Sequence, residues 1–117
     1  MGAVAYQVVY IQCGNARLYG ELVQHITERH NCWLRPLSLL FSQPLNGQPE
    51  FLDLRDGPDI ICSDELIRPV MDLDWLVILE QLTASKTGCD YPQANQYLRQ
   101  FLAQLASQRS VSSELSD

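Results

Sequence analysis

The feature that most constrains this chain is a period-two pattern in its first thirty residues. Leu18, Gly20, Leu22, Gln24 and Ile26 fall on one side of residues 16–27, and Arg17, Tyr19, Glu21, Val23 and His25 on the other. Alternation of this kind puts successive side chains on opposite faces of a strand. The preceding stretch, 4–12, is rich in β-branched and aromatic residues and predicts a partner strand. Cys13-Gly14-Asn15 between them is turn chemistry, so the two strands form a hairpin. Gly20 weighs against a helix over 16–29.

Three more strands follow. Residues 32–41 are apolar enough for a strand, and Pro36 inside it calls for an edge position or a bulge. Residues 42–49 hold Pro44, Asn46-Gly47 and Pro49 and form a loop. Residues 50–55 alternate, Asp56-Gly57 turns them, and 59–62 make a fifth short strand. Ser63 starts a single helical turn that Pro69 stops.

Beyond residue 70 the period changes. Asp72 or Asp74 caps a helix over 73–84, and its Trp75-Leu76-Val77-Ile78-Leu79 run is apolar on every side, which predicts burial all round. Residues 85–90 are a loop. Asp90 and Pro92 open a last helix over 92–106, where Ala94, Tyr97, Leu98, Phe101, Leu102 and Leu105 share one face. The predicted fold is therefore α+β. It is a small bent antiparallel sheet or five-strand barrel, followed by two C-terminal helices that cover one opening. Residues 1–106 form one globular domain, strand-rich over 4–62 and helical over 73–106, and the Ser-rich 107–117 is a disordered tail.

Charge narrows the function classes. Residues 50–74 contain eight acids against Arg55 and Arg68, which equals the whole net charge of −6. An acidic segment repels phosphate backbones and attracts basic protein surfaces. Asp53, Arg55, Asp56, Asp59, Asp64 and Glu65, with Arg35 on the third strand, are the candidate partner-binding residues. Helix caps and a solvated edge account for the same acids equally well. Asp53, Asp56 and Asp59 stand three apart rather than at the alternate spacing of a calcium loop.

Chemistry-bearing motifs are sparse. His30 and Cys32 make one close pair, short of the paired ligands a structural zinc needs, and Cys13, Cys32, Cys62 and Cys89 are spaced irregularly. The four cysteines are expected to be buried thiols. No nucleophile elbow or Gly-rich phosphate loop is present, so a non-enzymatic role is expected, with no cofactor and no metal. Arg17, Arg29, Arg35, His25, Tyr19 and Trp33 could make a base-stacking, phosphate-reading surface, with scattered charge and a core Trp33 as the plainer account. The longest apolar run is far too short to span a bilayer, and the first residues have no basic start or cleavage site, so a cytoplasmic location is expected.

Two resemblances add to this. Leu18-Tyr-Gly20-Glu-Leu22, His30-Asn31, Leu37-Ser-Leu39-Leu and Arg55-Asp56-Gly57 resemble the strand-two, strand-three and Arg-Gly elements of Sm-like small barrels. That resemblance covers residues 4–62 and implies a five-strand barrel that binds RNA. It departs from the family at Thr27-Glu28-Arg29-His30, at the split Arg-Gly and at the C-terminal helices. Cys32-Trp-Leu-Arg-Pro-Leu and Leu52-Asp-Leu-Arg-Asp-Gly-Pro-Asp resemble small uncharacterised cyanobacterial proteins, which implies lineage and no mechanism. The expected function is a non-catalytic interaction module, an adaptor or accessory subunit of a larger assembly. Its partner is a protein with a basic surface or a second copy of itself. The alternative is an Sm-like RNA-binding protein.

Overall fold

A computed structural model describes residues 7–41, 51–84 and 91–116. The first strand's predicted start at 4, the 42–49 loop, Glu50 and the 85–90 loop with its Asp90 cap lie outside the described residues.

The hairpin forms as its pattern requires. Strands β1 (Gln7–Cys13) and β2 (Ala16–Ile26) pair from Cys13↔Ala16 to Gln7↔Leu22. Gly14 takes φ 58°, the left-handed value that the first position of a tight II′ hairpin turn demands. Strand β3 (Asn31–Phe41) pairs along the full length of β2 after a short 3₁₀ turn, Thr27–Arg29, and a left-handed His30 at φ 56°.

Two register shifts interrupt the β2–β3 ladder. The first leaves Leu37 unpaired, with Tyr19 opposite Ser38 and Gly20 opposite Pro36. Pro36 therefore sits at a bulge in an inner strand, and the edge position is excluded. Its missing donor falls where the far side of β3 changes partner. Strand β4 (Phe51–Asp53) pairs with Ser38–Leu40, and strand β5 (Ile60–Ser63) pairs with Asn31–Leu34. The second shift skips Val23, which exchanges the faces of Gln24 and His25 relative to the rest of β2.

The expected turn after Ser63 is a 3₁₀ turn, Asp64–Leu66. It leads into an unforeseen strand, β6 (Arg68–Pro69), paired with Val9 and Tyr10. The sheet thus has six strands and does not close into a barrel. Among the described residues β6 pairs with β1 alone, while β4 and β5 divide the outer side of β3.

The helices cover opposite faces of this sheet, not one opening. Register puts Val9, Ile11, Cys13, Ala16, Leu18, Cys32, Leu34, Leu39, Ile60 and Cys62 on one face. Helix α2 (Tyr91–Ser116) seats Ala94, Leu98, Phe101 and Leu105 against them, with Tyr97 and Leu102 at the margin. That is the face the heptad-like spacing predicts. α2 continues to Ser116, past the expected end at 106 and through the segment expected as a tail. The opposite face carries Tyr10, Tyr19, Leu37, Leu40 and Phe51, and helix α1 (Asp72–Ala84) lies on it through Trp75, Ile78 and Leu82. The result is three layers, helix–sheet–helix.

Candidate functional site

The surface that stands out is the outer side of α1. A helix turns about 100° per residue. Trp75, Ile78 and Leu82 therefore share one side, and these three meet the sheet. Leu73, Leu76 and Val77 are carried to the opposite side, where they are 78%, 57% and 56% exposed. Leu79 lies at the edge of this face, and Met71, just before the helix, is exposed as well. The expectation of all-round burial is corrected here for a simple reason. A helix apolar on every side needs a neighbour on every side, and the sheet covers only one.

Charge carried by α1 itself is of one sign. Asp74 and Glu80 are exposed on α1, and no Lys or Arg occurs between residues 72 and 84. Glu80 lies between Leu73, Leu76 and Val77 on the helical wheel, near the centre of the apolar face. Isolated exposed apolar residues are ordinary, but a contiguous apolar face rimmed by charge marks an interaction surface.

α1 is held in place from its C-terminal end. Asp53, at the end of β4, is 7% exposed. Its carboxylate takes a bidentate pair from Arg55, with Nη2–Oδ2 at 2.6 Å and Nε–Oδ1 at 3.0 Å, and accepts the Arg55 amide at 3.1 Å. The same Arg55 Nη2 donates to the Leu82 carbonyl at 3.1 Å. One guanidinium thus joins β4 to a carbonyl in the last turn of α1. Hydrogen bonding to Asp53 raises the Arg55 pKa, which stays charged throughout.

The remaining candidate residues fall into separate groups. Asp59 accepts from Trp33 Nε1 at 3.0 Å and pairs with Arg35 Nε at 3.5 Å. Trp33 is half-buried on the sheet face that α1 leaves uncovered at this end, beside Ile61, and so is not a core residue. Asp64 lies between two imidazoles, 3.0 Å from His25 Nε2 and 3.7 Å from His30 Nδ1. The hydrogen bond to His25, with His30 beside it, holds the Asp64 carboxyl below the usual carboxylate range. Asp56 and Glu65 are exposed on the connections. The acids of 50–74 therefore do not converge on one patch. Asp53, Asp59 and Asp64 serve three separate local structures, and of these three it is Asp53 that reaches α1, through Arg55.

Most of the suggested phosphate-reading residues are engaged elsewhere: His25 meets Asp64, while Arg29 stands exposed on the 3₁₀ turn. Arg17 stacks on the Tyr10 ring at 4.1 Å and donates to Gln12 at 2.9 Å, Tyr19 is buried under α1, and Arg35 and Trp33 share Asp59. Among the described residues no group of three His, Cys, Asp or Glu side chains is placed to hold a metal ion, and no helix is long and apolar enough to cross a membrane. The Leu73, Leu76, Val77 and Glu80 surface was not among the candidates taken from sequence. Its signal in the sequence is the all-round apolar run Trp75 to Leu79, which reads equally as a helix covered on every side. A comparison of the chain with protein-family models, curated proteins and solved structures finds no match.

Proposed function

We propose that this protein is a non-catalytic interaction module, an adaptor or accessory subunit that docks a partner on the outer face of α1. The observation that carries the reading is an exposed apolar face on a helix already seated, by its other side, on a folded sheet. Amphipathic helices commonly lie in such surfaces through side chains at i, i+3, i+4 and i+7.

Charge selects the occupant. Glu80 lies within the apolar face, and burying an unpaired carboxylate is costly. A second copy would bring another Glu80, another Asp74 and another net charge of −6 to the same interface. The fitting partner is an amphipathic helix with an apolar stripe and a Lys or Arg placed to meet Glu80. A charge set within an apolar face in this way selects its partner by rejecting those that leave it unpaired.

The test uses two synthetic amphipathic helical peptides with the same Leu stripe, one with Lys and one with Glu at the central position. Binding is followed by fluorescence anisotropy at two salt concentrations. The Lys peptide should bind at least about tenfold tighter to the wild type, a difference of about 1.4 kcal/mol, and Glu80→Lys should reverse the order. Equal binding of both peptides would remove the charge argument. Binding of neither, or a dimer that Leu76→Asp dissolves, would remove the proposed partner.

A further inference from the structure

Cys32 and Cys62 occupy directly opposed positions in the β3–β5 ladder. Opposed residues of antiparallel strands project to the same face, and both thiols enter the buried cluster beneath α2. Irregular spacing in the sequence gave no hint of this pairing, because the strands are separated by the 42–50 connection and by β4.

The type of pairing follows from a neighbouring bond. The Asp64 amide donates to the His30 carbonyl at 2.8 Å. That contact marks His30 and Asp64 as a hydrogen-bonded pair, and pair types alternate along the ladder. Two steps along, Cys32 and Cys62 are again a hydrogen-bonded pair. Cα atoms in such a pair are about 5.5 Å apart, within the range that a disulfide spans. The Cβ atoms stand wider than the ~3.8 Å a relaxed disulfide prefers. A bridge here closes with strain, and strained disulfides are the easily reduced ones.

We propose that Cys32 and Cys62 form a reversible thiol–disulfide site whose co-substrate is a low-molecular-weight disulfide such as oxidised glutathione. Among the described residues β5 pairs with β3 alone, through four residues, and local opening of this short strand is the route by which the buried thiols would meet a co-substrate. The Cys62 thiolate attacks one sulfur of the small disulfide, forming a mixed disulfide and releasing one thiol. The Cys32 thiolate then attacks the Cys62 sulfur, the protein disulfide forms, and a second small thiol leaves. Two protein thiols are oxidised and one small disulfide is reduced to two thiols.

The intact fold restrains the first step. Burial, with Cys32 adjacent, pushes the Cys62 thiol up to about 11, and burial raises Cys32 as well. The thiolate is therefore scarce at neutral pH, and the reaction quickens as pH rises. The bridge would fasten β5 to β3 without displacing either side chain from the core face.

The native protein is incubated with oxidised glutathione, quenched with acid and mapped by mass spectrometry under non-reducing conditions. The expected product is one peptide pair joined through Cys32 and Cys62, lost again on mild reduction by a dithiol. In Cys62→Ser, loss of the Cys32 thiol should slow by at least roughly tenfold, because the intramolecular partner is gone. Crosslinks through Cys13 or Cys89 in place of this one, a mixed disulfide at Cys62 that never resolves, or no reaction at all would each overturn the proposal. The wild-type map decides the matter even if the Ser variant fails to fold.

Discussion

Ile78 and Leu73 lie on one helix five residues apart, and truncating each to Ala should have opposite consequences. Ile78 is 1% exposed and packs with Tyr19 and Leu82. Ile78→Ala deletes three carbons at about 0.8 kcal/mol each, about 2.4 kcal/mol of transfer free energy. The cavity left against Tyr19 brings the total to about 3–4 kcal/mol, within the usual range for such a change. Leu73 is 78% exposed, so only about a fifth of its roughly 2 kcal/mol of burial is at stake. The better helix propensity of Ala offsets part of that. Leu73→Ala should stay within about 0.5 kcal/mol of wild type. Urea melts followed by tryptophan fluorescence read both values, since Trp75 is on α1. With a slope of about 1–3 kcal/mol per molar urea, Ile78→Ala moves the midpoint down by more than about 1 M and Leu73→Ala hardly at all. A loss of about 2 kcal/mol or more in Leu73→Ala would mean that this face is already covered. A loss below about 1 kcal/mol in Ile78→Ala would mean that α1 does not rest on the sheet.

Other expectations are equally specific. A Cβ added at Gly57 would lie 2.7 Å from the Ala94 Cβ, so Gly57→Ala should push α2 outward and cost about 1–3 kcal/mol, with Ala94→Gly restoring part of it in a chemical melt. The Asp64 carboxyl is depressed in the folded state, so its contribution is present above the unfolded carboxylate pKa and lost as pH falls through the lower, folded value. Thermal melts between about pH 4 and pH 2 should therefore drop less steeply for Asp64→Asn than for wild type. Mixed single-stranded RNA should show no steep salt-dependent binding, and a strongly negative slope of log K against log salt would revive the RNA alternative.

Much of this architecture was legible in the chain. The hairpin, the third strand and the amphipathic face of the last helix follow from local period and turn residues, because those signals depend on near neighbours. The strand β6 was not legible. Arg68–Pro69 is two residues long, and its pairing with Val9 and Tyr10 reflects tertiary proximity. Pro36 allowed two readings, and only the two-partner arrangement on the far side of β3 selects the bulge. The most instructive case is α1. Its apolar circumference is plain in Trp75 to Leu79, but periodicity cannot count the neighbours available to cover it. One sheet, a second helix committed to the other face and no further described element leave half of that circumference open.

The acidic segment teaches a similar lesson. Its charges looked like one feature because they are contiguous in sequence. The fold separates them into the Asp53–Arg55 pair, the Asp59 contact with Trp33 and Arg35, and the Asp64–His25–His30 group. Neither Leu76 nor Glu80 could be singled out before the sheet showed which side of α1 it takes.

Partner docking at the outer face of α1 is located directly by amide hydrogen exchange. With the Lys-bearing amphipathic peptide at saturation, exchange should slow in fragments covering residues 71–84 and stay unchanged over α2. Protection confined to α2 or to the β5 edge, with 71–84 unaffected, would contradict it.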